Sequence, residues 1–204
     1  MPIPDKRAIT SFPIHDLLAS RWSPRAFADR AIPSDVLGSL FEAARWAPSS
    51  RNLQPWHFVI AERHRDAEGF ARILGTLMEG NQIWAQHASL LLIAVTQPKP
   101  DEAGRANPYA RYDVGQAIAH LSIQALACGL YIHQMGGFRR DLARQALAIP
   151  AGFEPVVSAA IGYLADSSAL PEEIRERELA PRSRHPLSDQ VFSGTWGEPH
   201  PDYA

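Results

Sequence analysis

Arg21, Ser23 and Arg25 place two guanidinium groups and a hydroxyl within five consecutive positions, with Trp22 between the first two. A phosphate monoester is nearly dianionic, and each charge-assisted hydrogen bond to it is worth roughly 1.5–3 kcal/mol, so this combination suits phosphate binding. Further along, Pro48-Ser49-Ser50-Arg51-Asn52-Leu53-Gln54-Pro55-Trp56 is a proline-bracketed run of hydroxyls and amides, rich in donors and unable to continue a helix. Near the end of the chain, Arg182-Ser183-Arg184 offers a second basic pair. On residue types alone, the first cluster reads equally well as a solvated basic turn. Convergence of the two distant clusters on one anion is what separates the readings.

Other chemistry-bearing residues give weaker patterns. None of the eight histidines has the spacing of a zinc site, and no metal is expected. His57, His120 and His133 read as satisfied core or edge residues. Asp113 has no carboxylate mate and reads as a charge on a helix face. Ser49 and Ser50 lack the Gly-x-Ser-x-Gly elbow of a nucleophile. Gly136 and Gly137 belong to neither a Rossmann fingerprint nor a P-loop. Cys128 is alone, which excludes an intrachain disulfide framework, and its apolar helical setting predicts a buried structural thiol.

These groups need elements to hold them. A short helix over 14–20 leads into the arginine cluster. Pro33-Ser34 opens a second, with Ser34 as N-cap and Val36, Leu37, Leu40, Phe41 and Ala44 on one stripe, and Pro48 ends it. The pattern predicts strands over 56–61, 89–96, 130–133 and 155–164. The second of these is continuously apolar, as expected where both faces are covered. Helices are predicted over 65–78, 81–87, 109–129 and 139–147. On the longest, Val114, Ile118, Leu121 and Ala125 form an apolar stripe; Gly115, Ala119 and Ser122 form a small-residue face able to meet another helix closely, and Gly129 caps its end. Residues 97–108 are expected to form an exposed loop, either a pocket cover or a plain connector. Residues 165–181 are acidic-rich and polar, and 182–204 contain arginines, prolines and aromatics without a helical or strand period. Val191, Phe192 and Trp196 favour a tail ordered by wrapping another surface.

The 204 residues fit one large domain, and 46% hydrophobic with 21% charged residues is ordinary for a globular protein. A formal charge of −2 provides no global basic field for nucleic acid or acidic lipids. Met1 to Arg7 lacks the apolar core of a signal peptide, and Leu90 to Val95, the longest apolar run, is far short of a membrane span. A cytoplasmic location is expected.

Four segments occur in order: Arg21 to Arg25, Pro48 to Trp56, Gly136-Gly137-Phe138, and Arg182 to Arg184. In that order and spacing they resemble the nitroreductase family of FMN-dependent oxidoreductases, and the Pro-Ser-Ser-x-Asn-x-Gln-Pro-Trp stretch is the most specific of them. The resemblance implies a single domain over 1–204 with an α+β fold. A central, mainly antiparallel sheet would be flanked by helices, helix 109–129 would pack at a homodimer interface, and the 165–204 tail would be domain-swapped onto the partner. It further implies that Arg21, Ser23, Arg25 and Arg184, assisted by Arg182, hold the FMN phosphate, ribityl chain or pyrimidine edge, with Trp22 where some relatives place a histidine. Pro48, Ser49, Ser50 and Asn52 would come from the other subunit, and Asn81 would approach the ring. Gln134, Met135, Gly136 and Gly137 would lie at the N5 end, with backbone amides facing it. No side chain would act as nucleophile. NAD(P)H would bind transiently and pass hydride to the flavin, and an electron-poor nitroaromatic, quinone or enone would follow in a ping-pong cycle. Other uses of the fold are dehalogenation, dehydrogenation, flavin fragmentation or a non-catalytic flavin sensor. Some relatives have an acidic residue at the Gly136 position and a lysine at the Trp84 position, departures that bear on substrate and redox potential rather than on the cofactor.

Overall fold

The computed structural model describes residues 5–98 and 106–203. Four strands, β1 (Trp56–Glu62), β2 (Leu90–Thr96), β3 (Tyr131–Met135) and β4 (Glu154–Gly162), form one sheet in the order β1-β2-β4-β3. Every pairing is antiparallel. The α-helices among the described residues are α1 (Asp16–Ser20), α2 (Ser34–Arg45), α3 (Ala67–Thr76), α4 (Glu79–Ala85), α5 (Ala110–Ala127), α6 (Arg140–Ala146) and α7 (Glu172–Leu179).

Strand β2 shows why the layers form. Its side chains alternate between faces: Leu91, Ile93 and Val95 enter one core with Phe70 and Ile73 of α3, Trp84 of α4 and Ala143 of α6. Leu90, Leu92 and Ala94 enter a second core with Leu40 and Ala44 of α2 and with Val114, Ile118, Leu121 and Ala125 of α5. Helices therefore cover both faces, and the unbroken apolar run expected from the sequence is the central strand of an α+β sandwich.

Element ends differ in informative ways. Ser34 is the first residue of α2 rather than its N-cap; Pro33 takes that position without a side-chain bond. Past α5, Gly129 adopts φ 74, which brings the Leu130 amide onto the Ala125 carbonyl at 2.8 Å. The small-residue face of α5 is split. Ser122 is buried and donates its hydroxyl to the Ile118 carbonyl at 2.6 Å, whereas Gly115 and Ala119 are exposed beside Tyr112, itself 67% exposed. His120 is exposed rather than in the core, while His57 is exposed on edge strand β1, and Cys128 is half-buried.

Helix α7 lies within the 165–181 stretch, read from sequence only as acidic-rich and polar. Beyond it, residues 182–203 make two single 3-10 turns and a bridge between Phe192 and Pro199, with Trp196 89% exposed. Of the expected 97–108 loop, residues 99–105 lie outside the described residues. Among the described residues no helix is long and apolar enough to cross a membrane.

Candidate functional site

The arginine segment is fixed along β3 and the end of β4. Ala28 donates to the Tyr163 carbonyl (2.8 Å), Ala165 donates to the Ala26 carbonyl (3.1 Å), and Phe27 bridges Leu164. Nδ1 of His133, on edge strand β3, donates to the Pro24 carbonyl at 2.9 Å. That acceptor fixes the tautomer with the proton on Nδ1. The His133 ring packs on Trp84 at 4.5 Å, and burial first, then Arg25, lowers its pKa to about 4 against the opposing Pro24 and Ser23 bonds. It is therefore neutral at neutral pH.

From the other side α7 presents Glu178, 1% exposed. Its Oε1 accepts the Arg25 amide at 2.8 Å and the Ala26 amide at 3.2 Å, and its Oε2 accepts the Arg25 amide at 3.0 Å. The Arg25 guanidinium stands 3.5 Å away. The segment around Lys6 and the segment just after α7 are clasped together here. Lys6 Nζ donates to the Ala180 carbonyl, and Arg182 donates back to the Lys6 carbonyl and to the Ala19 carbonyl.

These contacts enclose a cleft of about 250 Å³. Arg21, Trp22, Ser23, Arg25, Arg182 and Arg184 all line it, so the structure brings together the two basic clusters read from sequence. Lys6, Arg177 and Glu178 line it too, giving six cations against one carboxylate. Burial, then Arg182 and Arg184, lowers the Arg21 pKa; burial, then Arg184, lowers that of Arg182. Lys6 is lowered chiefly by burial, with Glu178 opposing. No protein acceptor among the described residues takes a hydrogen bond or ion pair from the half-buried Arg21 guanidinium. An unneutralised group of this kind is what a bound dianion would complete.

A second cleft of about 160 Å³ shares Arg25 and Arg177 with the first and adds Met78, Gly80, Asn81, Trp84 and Ile174. Asn81 donates Nδ2 to the Gly137 carbonyl at 3.0 Å, which leaves its Oδ1 open to a ligand. Any Cβ on Gly137 would lie 2.8 Å from that nitrogen, so a larger residue there would have to push the Asn81 side chain aside. The amides of Gly136 and Gly137 donate to no acceptor among the described residues. Their neighbours point elsewhere. Met135 is buried in the core, and the Gln134 side chain lies on the opposite face of the sheet, with Nε2 3.4 Å from Ser122 of α5. Trp84, where a lysine stands in some relatives, is 1% exposed between Phe27 and His133 and serves packing.

Pro48, Ser49, Ser50 and Asn52 lie elsewhere, in the loop entering β1. The loop enters β1 at Trp56, in register with Thr96 and Glu154, whereas Ala26 and Ala28 pair with Ala165 and Tyr163 beyond the opposite end of β4, so the length of the strands, roughly 20 Å, separates them. Within one chain the two halves do not meet. The loop is strained: Arg51, Asn52 and Gln54 have φ of 52, 55 and 46. Residues held in this way cost of order 1–3 kcal/mol each and cluster at functional positions. Asp113 holds the loop in place. Read from sequence as a charge on a helix face, it is 1% exposed and accepts the Ser50 amide at 3.2 Å and the Asn107 side chain at 3.4 Å.

Motif reading missed Lys6, Arg177, Glu178 and the role of Asp113. The first lies outside any pattern, and the others sit in helices where charged residues look like solvent-facing ones.

The protein is thus an α+β sandwich with an antiparallel sheet and a cationic cleft at one end of it. A model of the nitroreductase family matches residues 18–163, and the chain belongs to that family of oxidoreductases. A solved structure described as an oxidoreductase containing FMN is 38% identical, covers 97% of this chain and 100% of its own, and superposes with a TM-score of 0.89. An uncharacterized 15.4 kDa protein from the ask 5′ region of Mycolicibacterium smegmatis is 39% identical over 133 residues, 65% of this chain and 87% of that protein. The iodotyrosine deiodinase of Haliscomenobacter hydrossis is 24% identical over 201 residues, 87% of this chain and 90% of the enzyme.

Proposed function

We propose that the chain is an FMN-dependent oxidoreductase that takes electrons from NAD(P)H and reduces an electron-poor acceptor such as a nitroaromatic, quinone or enone. The observation that carries this reading is the convergence of Arg21, Arg25, Arg182 and Arg184 on one cleft. The residues fit the group: a phosphate monoester would neutralise the Arg21 guanidinium, and the adjoining cleft offers the unengaged Gly136 and Gly137 amides. The likeness to an oxidoreductase containing FMN supports the same choice.

Bound FMN would supply a two-electron carrier between NAD(P)H and the acceptor, as a ping-pong cycle requires. Arg21, Ser23 and Arg184, assisted by Arg182, hold its phosphate and ribityl chain. Arg25, one of the two cations shared by both clefts, would serve the pyrimidine edge, where reduction adds negative charge. The Gly136 and Gly137 amides serve the N5 end, and Asn81 orients the ring through Oδ1. Protons come from water, and no side chain acts as nucleophile.

Pro48, Ser49, Ser50 and Asn52 complete the site from a second copy, consistent with their separation from the arginines in one chain. The unit is accordingly a cytoplasmic homodimer of one-domain chains whose α5 faces meet and whose tails cross to the partner beyond Arg184, since residues 165–182 pack on their own chain. An absorbance spectrum of the purified protein followed by bleaching with NADH or NADPH tests the reading; a colourless protein that takes up no added FMN refutes it. A second reading, reductive dehalogenation on the same cofactor, is favoured by the likeness to iodotyrosine deiodinase. Halide release with little acceptor-dependent NAD(P)H oxidation would select it.

A further inference from the structure

We infer that Glu178 is a positioning residue that acts as a built-in counter-anion. It holds the Arg21–Ala26 segment in shape when the cleft is empty and repels the incoming phosphate. The inference rests on the phosphate assignment above.

Three observations carry it. Glu178 is the lone carboxylate in a cleft lined by six cations, and it is buried, so solvent does little to screen it. Its hydrogen bonds go to backbone amides of Arg25 and Ala26 rather than to a guanidinium, whose nearest nitrogen is 3.5 Å away. The carboxylate therefore shapes the segment without saturating the cations, which keep their donors for a ligand. Finally, it sits at the end of α7, one position past Arg177, so the helix delivers a fixed anion and a cation shared by both clefts together.

Two effects of opposite sign follow. With no phosphate bound, the carboxylate offsets like-charge repulsion and stabilises the fold. With phosphate bound, it repels the ligand, and affinity is lower than the cations alone would give. Glu178→Gln keeps the shape and an amide acceptor but removes the charge. Glu178→Asp keeps the charge and shortens the reach.

The test measures FMN and riboflavin affinities by flavin fluorescence, apo melting temperature, and protection by inorganic phosphate, for wild type and both variants. Riboflavin lacks the phosphate, so the ratio of the two affinities isolates the electrostatic effect from general damage to the ring site. For Glu178→Gln the preference for FMN over riboflavin should rise on the order of tenfold, while the apo protein melts lower and phosphate restores more of the loss than in wild type. Glu178→Asp should keep the wild-type preference. If the Gln variant is soluble only in the presence of phosphate, that is the same result in stronger form. An unchanged or reduced FMN preference overturns the inference, as does a Gln variant that stays insoluble with both phosphate and FMN, because either outcome leaves Glu178 as a structural prop. Should wild type bind neither flavin, the proposed function fails instead. The phosphate arm then decides on Glu178 alone, and no gain in phosphate protection for Glu178→Gln rejects its role.

Discussion

Replacing Arg21 by methionine should separate ligand binding from folding. The substitution keeps most of the aliphatic stem, so packing beside Trp22 is conserved, and it removes a guanidinium with no acceptor among the described residues. No buried carboxylate or carbonyl loses its partner, which is the usual reason that deleting a charge destabilises a protein. Burial and the neighbouring Arg182 and Arg184 already disfavour the charged form of Arg21. The empty protein should consequently melt at the same temperature as wild type or higher. The flavin should respond in the opposite direction. Losing one charge-assisted bond to phosphate costs about 1.5–3 kcal/mol, or about 10- to 150-fold in affinity. Fluorescence titration with FMN and a thermal melt of apo protein read the two effects separately, and riboflavin binding should change little. FMN affinity within about threefold of wild type would place the phosphate elsewhere. A fall in apo melting of more than about 4 °C, near 1 kcal/mol or more for a chain of this length, would mean that Arg21 props the fold.

Asp113→Ala strands the Ser50 amide and the Asn107 side chain, and should cost about 2–4 kcal/mol in a urea titration; a loss below about 0.5 kcal/mol would show that the loop holds itself. Gly137→Ala drives a methyl to 2.8 Å from Asn81 Nδ2 and should lower turnover more than FMN affinity, with equal loss of both counting against the ring-edge role. Because His133 is neutral in the fold with a pKa of about 4 against 6.5 unfolded, unfolding takes up a proton between those values. Stability should thus fall with pH from 6.5 to about 4, by at most about 1.4 kcal/mol per unit, and His133→Gln should flatten that slope; an unaltered slope assigns it to other groups. Removing residues 182–204 should give monomers without flavin in sedimentation and absorbance, and a dimeric yellow truncation would refute the tail assignment.

Much of this architecture could be read from apolar periodicity and proline placement. Leu90 to Val95 announced a strand covered on both faces because the sheet buries each side under helices, and Pro48 set the end of α2 because the backbone leaves no alternative. The arginine cluster was legible because paired guanidiniums with a hydroxyl suit few ligands. Helix α7 was not, since Glu172, Glu173, Arg175, Glu176 and Arg177 mask the inward-facing Ile174 and Glu178. A buried carboxylate that pairs with backbone amides, like Glu178 or Asp113, carries no sequence signature. Its partners are main-chain groups that every residue possesses. Ser34 misled for a related reason: serine favours the N-cap, but Pro33 already supplies the extended geometry that opens the helix.

The placement of the strained loop and the arginine segment at opposite ends of the sheet has a genetic consequence. If each flavin site is assembled from two copies, a chain with a ruined Asn52 loop and a chain with a ruined Arg21 cluster should rescue one another when co-expressed. Their mixed pair contains one intact pocket and one doubly broken pocket. Two alleles that are each dead alone would then complement, a behaviour foreign to an enzyme whose site lies within a single polypeptide.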